Sequence, residues 1–438
     1  MLRWRIAILV SAAIAISYLD RQTLPWAVSA IGRDIPISNE VKASLDSAFL
    51  LTYGLMYFGG GRLLDWLGTR RGFTLIMLFW SLACGSHALA GNHGMRPVFG
   101  LGFGVMMLGA SRLLLGVGEG GGFPAATRAV TEWFPVEERS TAMGIINAGT
   151  AVGAVVAPPL IVYVLTNVDW LGFAPWRWVF LITGGLGLVW TAWWWSDFRT
   201  PESHPGLGAA ERARLRSVLD ASSRPALPAI PLADILAHRE TWTIVFAKFL
   251  SDGAWYFYLF WLPKFLLEAF HLDIKTAGAI GWIPYAASGV GCLCGGGLSS
   301  WLLRRGQSVN RSRKIALGAS AALMPWVMLV PGMHSVGWVI FIFSVAFFGQ
   351  QSWSTLVMIL PTDMIPKRAV GTLAGLVGFG GAMGGVLLGQ LVGYMRDHGS
   401  SFGPILVIAG SLHVLAFIAI CIGIPRIQSL PFQTAHPS

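Results

Sequence analysis

Apolar residues run along this chain in twelve long blocks, roughly 4–31, 44–66, 72–91, 99–127, 139–165, 175–196, 241–268, 275–303, 313–331, 336–360, 368–395 and 402–425. A helix rises ~1.5 Å per residue and needs ~20 apolar residues to cross a bilayer. Each block therefore predicts one membrane-spanning helix, numbered 1 to 12 in chain order. One polar stretch is long. Asp197 to Glu240 is rich in Pro, Arg and Glu and contains a helix-like piece, Gly208 to Asp220. It divides the blocks six and six. The pattern predicts an all-α membrane protein: a six-helix bundle over 1–196, a cytoplasmic linker over 197–240 and a second six-helix bundle over 241–438.

The halves repeat. Gly59-Gly60-Gly61 followed by Arg70-Arg71-Gly72 recurs as Gly295-Gly296-Gly297 followed by Arg304-Arg305-Gly306. Pro135, Thr141, Gly144, Gly149 and Gly153 recur at a constant offset of 231 as Pro366, Thr372, Gly375, Gly380 and Gly384. Asp20 maps to Asp252 on the equivalent helix. Parallel halves of this kind, with a binding site at their interface near midplane, describe the major facilitator architecture.

Composition agrees: 54% of residues are hydrophobic and only 12% charged, against roughly 25% charged in soluble domains. The net charge of +10 first suggests nucleic acid, but its placement argues otherwise. With the amino terminus inside, 21 Lys/Arg fall on the inner side, seven on the outer side, and three (Arg21, Arg112, Lys248) deep in membrane blocks, away from their ends. That is the positive-inside bias, with both termini cytoplasmic. Met1 to Ser17 has the look of a signal peptide, yet the apolar run continues through Asp20-Arg21 to Ile31, so it reads as an uncleaved helix 1. The four cysteines sit in apolar blocks, and Cys292-x-Cys294 is no zinc spacing. No nucleophile–base set appears, so no enzyme is expected, and no cofactor beyond a proton as coupling ion.

A charge at membrane depth costs several kcal/mol on insertion scales, so it marks a polar path or a pair. Asp20 and Arg21 lie inside helix 1 and point about 100° apart. Asp20 is expected to meet Arg112 or water, and Arg21 to face the cavity, where its planar fork suits a carboxylate. Arg112 and Glu119 in helix 4 are seven residues apart and share a face. A carboxylate among Gly116, Gly118, Gly120, Gly121 and Gly122 is a candidate proton carrier, and the alternative is a structural Arg–Glu pair. Tyr53 is a candidate hydrogen-bond donor to substrate. Trp255 and Tyr256 share a face of helix 7 with Asp252, suited to a sugar ring or to helix packing. Gln350, Gln351, Trp353 and Ser354 form an unusually polar run in helix 10, suited to reading hydroxyls or to interhelix bonds. Asn147 and Thr150 are weaker candidates. The segment Asn92–Gly109 is rich in glycine without an evident reason.

Gly61-x-x-x-Asp65-x-x-Gly68-x-Arg70-Arg71 closes helix 2 and spans the turn to helix 3. It resembles the signature loop of the major facilitator superfamily. The tight turn needs Gly68, and Asp65 suits the positive end of a helix dipole. The resemblance implies that this loop, with Arg70 and Arg71, holds an inner gate shut. Tyr18-Leu-Asp-Arg-Gln22, Gly116-Val-Gly-Glu119, Phe123-Pro-Ala-Ala126, Glu132-Trp-Phe-Pro135, Lys248-Phe-Leu-Ser-Asp252, Ser308-Val-Asn-Arg311 and Leu360-Pro-Thr-Asp-Met364 resemble the hexuronate transporters among bacterial anion:cation symporters. That resemblance implies symport of a sugar-acid anion with protons across the inner membrane, by a protein that is mostly monomeric in this superfamily. It places proton coupling on Asp20 and Glu119, anion contact on Arg21, Tyr53 and Arg112, and hydroxyl reading on helices 7 and 10. The rival readings are another organic anion, a proton-driven exporter, and a receptor that binds without translocating. Paired arginines in the membrane favour an anion over an exporter's cargo.

Overall fold

The computed structural model describes residues 2–91, 102–209, 212–213 and 230–430, which form helices and turns with no strand among them. Helix 1 is Leu2–Ile31. Helices 2 and 3 follow one another within Asn39–Ser86 and are two separate helices joined by a sharp backbone kink at Gly68. Helix 4 comes in two pieces, Phe103–Gly120 and Gly122–Trp133. Helices 5, 6 and 7 are Val136–Asn167, Pro175–Asp197 and Arg239–Ala269. Helix 8 is also in two pieces, Ile274–Gly281 and Ile283–Arg304. Helix 9, Val309–Ala321, tightens into a 3₁₀ run over Met324–Gly332. Helices 10, 11 and 12 are Val336–Met364, Lys367–Asp397 and Phe402–Gly423.

Local chemistry sets several of these ends. Ser38, Asp273, Ser308 and Ser401 each accept from a backbone N–H in the first turn of helices 2, 8, 9 and 12, which satisfies donors that a helix start leaves open. Gly68 has φ 74° and ψ 162°, a region that only glycine occupies without strain. Among the described residues, nine helices are long and apolar enough to cross a membrane. Helices 2, 4 and 7 fall outside that set, and they carry Lys42 and Asp46, Arg112 and Glu119, and Lys248 and Asp252. Leu82, Val189, Leu293 and Ile422 stand exposed on their helices, as side chains do that face hydrocarbon rather than water.

Contacts sort the chain into two units. Unit 1 is Met1–Ala226, Tyr258–Ala286 and Gly389–Ser400; unit 2 is Leu227–Phe257, Ala287–Leu388 and Ser401–Ser438. Helices 7, 8 and 11 each give one end to unit 1, where small residues admit close neighbours. Gly278 sits against Val162, Gly281 against the Trp26 indole, and Gly393 against Ala43 and the Asn39 carbonyl. The helix-like stretch expected over Gly208–Asp220 lies largely outside the described residues, as do residues 92–101.

Each unit shows why the glycine repeat exists. In unit 1, a Cβ at Gly149 would stand 2.3 Å from the Ser11 carbonyl oxygen, and one at Gly153 2.0 Å from that of Ala15. Helix 5 thus touches helix 1 backbone to backbone. In unit 2, the repeat mates do the same for helices 11 and 7. A Cβ at Gly380 would meet Val245 at 2.7 Å, and one at Gly384 would lie 1.8 Å from the Phe249 carbonyl oxygen. In a membrane, where apolar burial between helices gains little, such close packing holds helices together.

Candidate functional site

Glycines on helix 4 build the charged centre of unit 1. Gly116 and Gly120 lie against the helix 2 backbone at Phe49 and Tyr53, and Gly118 lies against Trp80 of helix 3. This contact brings Glu119 to helix 1. Arg21 Nε donates to Glu119 Oε2 at 2.7 Å, and Ser17 Oγ donates to the same oxygen at 2.7 Å. Both charged side chains are buried, at 3% and 0% exposure. The Arg21 guanidinium carbon lies 4.7 Å from the centre of the Tyr18 ring and 4.3 Å from that of Tyr53. Two aromatic faces therefore help to stabilise the buried cation. Among the described residues, Glu119 Oε1 has no hydrogen-bond partner.

The expected Asp20–Arg112 contact does not form, and the Arg–Glu pair given as the alternative forms with a different arginine. Glu119 is paired with Arg21 rather than with Arg112. Seven residues of helix rise ~10 Å, so a shared face does not bring Arg112 and Glu119 into contact. Asp20 meets neither Arg112 nor Arg21. It accepts from Trp80 Nε1 at 2.7 Å and from the Cys84 thiol at 3.5 Å, fully buried between helices 1 and 3. Arg21, expected to face a cavity, is 2% exposed. Arg112 instead lies 3.5 Å from Asp46 Oδ1 on helix 2, a residue the sequence reading passed over. Asp46 pairs with Lys42 one turn away, Nζ to Oδ2 at 2.6 Å. The i,i+4 Lys–Asp spacing at the start of helix 2 was the available signal.

Unit 2 holds a second buried polar set. Lys248 Nζ lies 2.9 Å from Asp252 Oδ1 and donates to Ser354 Oγ at 2.7 Å. Gln350 Nε2 reaches Asp252 Oδ1 at 3.5 Å, and Gln350 Oε1 bonds His413 Nε2. Gly381 on helix 11 leaves room for the carboxylate, since a Cβ there would stand 2.3 Å from Asp252 Oδ2. Thus Ser354 and Gln350 join one network, with Lys248 and His413 as members that the sequence alone did not assign. Trp353 is fully buried among Leu356, Val357 and Leu360 in the unit 2 core, its ring edge-on to His413 at 5.6 Å. Gln351 is half-buried, and its carbonyl accepts from Thr355. Trp255 packs edge-on against Phe347, centroids 5.4 Å apart, and Tyr256 is 7% exposed beside it.

At the 2–3 turn, Arg70 donates to the Trp195 carbonyl at 2.6 Å and lies over that indole at 4.1 Å. This ties the turn to the end of helix 6. Arg71 is exposed. The side chain of Asp65 lies outside the described residues. Among the described residues no group of three His, Cys, Asp or Glu side chains is placed to hold a metal.

The sequence matches the Major Facilitator Superfamily over residues 10–389. The chain is 28% identical to the hexuronate transporter of Escherichia coli strain K12, over 96% of this chain and 93% of that protein. It is 30% identical to the galacturonate transporter of Dickeya chrysanthemi, over 74% of this chain and 89% of that one. The fold matches the crystal structure of a D-xylose–proton symporter with TM-score 0.72 at 13% identity, over 98% of this chain and 100% of that one. It also matches a bacterial homologue of the human lysosomal transporter Spinster, inward-facing and occupied, with TM-score 0.70 at 17% identity, covering 96% and 95%. Family, relatives and fold agree: this chain belongs to the Major Facilitator Superfamily, a family of membrane transporters and not of enzymes.

Proposed function

We propose that this protein is a proton-coupled symporter that imports a sugar-acid anion, a hexuronate such as galacturonate or glucuronate, by alternating access across the bacterial inner membrane. One observation carries the reading: Arg21, the proposed anchor for the substrate carboxylate, is paired with Glu119 in the buried interior. A substrate carboxylate arriving at Arg21 competes with Glu119 for the same fork of N–H donors. Glu119, displaced from its partner while still buried, is left as an uncompensated charge, which is costly unless it is neutralised by a proton. Anion and proton then travel together. Asp20, held by Trp80 on the neighbouring helix, is the second acid of the coupling set. Tyr53 and Arg112 complete the anion contact, and the polar residues of helices 7 and 10 read the hydroxyls. Relatives named for hexuronate and galacturonate transport support this substrate class. The excess of Lys and Arg in the linker and the even-to-odd turns supports cytoplasmic termini. The turn built on Asp65, Gly68, Arg70 and Arg71 serves as the inner gate.

The test is uptake into proteoliposomes under an imposed inward proton gradient, with labelled D-galacturonate competed by a panel of sugar acids. Galacturonate and glucuronate compete if the reading holds. If both fail while an aldonate, an aldarate or an aromatic acid competes, the substrate assignment is wrong. Saturable binding without counterflow points to a receptor.

A further inference from the structure

Helix 2 brings unit 1 a second buried charge cluster. Lys42 and Asp46 share a face one turn apart, at 0% and 3% side-chain exposure, with Nζ 2.6 Å from Oδ2. The Lys42 ammonium also lies 4.1 Å over the Trp261 ring. The other oxygen of Asp46 faces Arg112 Nη2 at 3.5 Å. One carboxylate therefore stands between two cations from two helices.

The two contacts are unequal. The lysine contact is a short, charge-assisted hydrogen bond. The arginine contact is too long to be one. Among the described residues, Nε, Nη1 and Nη2 of Arg112 all lack a hydrogen-bond partner, and so does Asp46 Oδ1. Arg112 is 0% exposed, with the Phe49 ring 5.3 Å from its guanidinium carbon. A buried guanidinium with its donors unmet is far from satisfied. The neighbouring charges are engaged elsewhere: Glu119 by Arg21 and Ser17, and Lys264 by Glu268 and Asn39. Two cations and one anion remain, in a place where an unbalanced charge is expensive. One more carboxylate closes the account as two pairs, Lys42 with Asp46 and Arg112 with the newcomer.

We propose that Asp46 is a tethered competitor at the Arg112 anion site, withdrawn onto Lys42 when a substrate carboxylate binds Arg112. This rests on the reading above, that Arg112 contacts the substrate anion. Asp46 then sets specificity. It admits ligands with a full negative charge and holds the site against neutral sugars, which cannot replace it. Lys42 is the positioning residue that receives it.

Two substitutions separate this from a purely structural ion pair. Asp46→Asn removes the competitor and tightens sugar-acid binding roughly tenfold, the worth of one charge-assisted contact the ligand no longer displaces. Lys42→Gln leaves Asp46 with Arg112 alone and weakens binding. A structural pair predicts weaker binding from both. Lys42→Gln/Asp46→Asn carries no unpaired buried charge from this pair, so it guards against loss of folding, and it binds as tightly as Asp46→Asn. Binding is measured on purified protein with D-galacturonate, D-galactonate and D-galactarate. Acetate, a bare carboxylate, probes the anion site independently of any sugar by its effect on thermal stability, and it stabilises the double variant more than the wild type. If the double variant binds no more tightly and acetate stabilises it no more than wild type, the competitor role is overturned. If wild type binds none of the three sugar acids while acetate still discriminates the variants, the substrate class fails and the competitor stands.

Discussion

Removing Arg21 is the sharpest probe of the unit 1 centre. In Arg21→Gln, Glu119 keeps the Ser17 hydroxyl and loses its cation, while its second oxygen already lacks a partner. At the 2.7 Å separation and an effective dielectric of about 20, the lost attraction is of order 6 kcal/mol. That attraction offsets a desolvation cost of several kcal/mol per ion, and breaking a buried pair on one side typically costs about 3–5 kcal/mol. Such a loss lowers the folded-to-unfolded ratio by roughly 10²–10³ or more. Glu119→Gln should cost less. The orphaned guanidinium still lies between the Tyr18 and Tyr53 rings, and cation–π contacts contribute up to about 2 kcal/mol when desolvated. The double change, Arg21→Gln/Glu119→Gln, leaves no unpaired charge from this pair and recovers most of the loss, a coupling of at least about 2 kcal/mol. Unfolding in mild detergent, followed by tryptophan fluorescence, gives the order. Wild type is most stable, then the double variant, then Glu119→Gln, then Arg21→Gln. An Arg21→Gln protein as stable as wild type, or a double variant less stable than either single one, means that the buried Arg21–Glu119 pair does not contribute to stability in this way.

Three further outcomes follow from the same geometry. Gly384→Leu and its repeat mate Gly153→Leu each force apart a backbone contact and lose at least about 1–3 kcal/mol by overpacking, whereas Gly389→Ala, with open space at its Cβ, leaves the melting temperature unchanged or higher. Gly68→Asn is no better tolerated than Gly68→Ala, because ψ 162° lies outside the left-handed region that asparagine accepts, and both lose about 1–3 kcal/mol in the same unfolding assay. Asp20→Asn keeps an oxygen for Trp80 Nε1, so it folds and exchanges substrate but loses gradient-driven accumulation; coupled uptake by this variant shows that Asp20 is structural.

The rods were legible because hydrophobic length is a one-dimensional property. Blocks such as 175–196 and 402–425 match Pro175–Asp197 and Phe402–Gly423 within a residue or two. The half-repeat was legible for the same reason, and Gly149, Gly153, Gly380 and Gly384 show its cause in helix contacts. The breaks in helix 4 at Gly121 and helix 8 at Trp282 were not read from the blocks, since apolar pattern runs straight through both. Pairing of buried charges was the least legible part. Helical phase placed Arg112 and Glu119 on one face, but partners are chosen by which neighbouring helix comes close. Gly116, Gly118 and Gly120 pull helix 4 against helices 2 and 3, and helix 1 delivers Arg21. Arg112 is left to Asp46, near the start of the second block. Trp353 was read by its polar neighbours, yet its own indole packs into the unit 2 core.

Glu119 is the proposed link between anion and proton. Wild-type and Glu119→Gln proteins in matched proteoliposomes, assayed for both counterflow and uphill uptake of labelled D-galacturonate, test it most directly. Wild type is expected to accumulate the label under an inward proton gradient and to lose it on addition of a protonophore. Glu119→Gln is predicted to retain counterflow and to accumulate nothing. Accumulation by Glu119→Gln at the wild-type level contradicts that link.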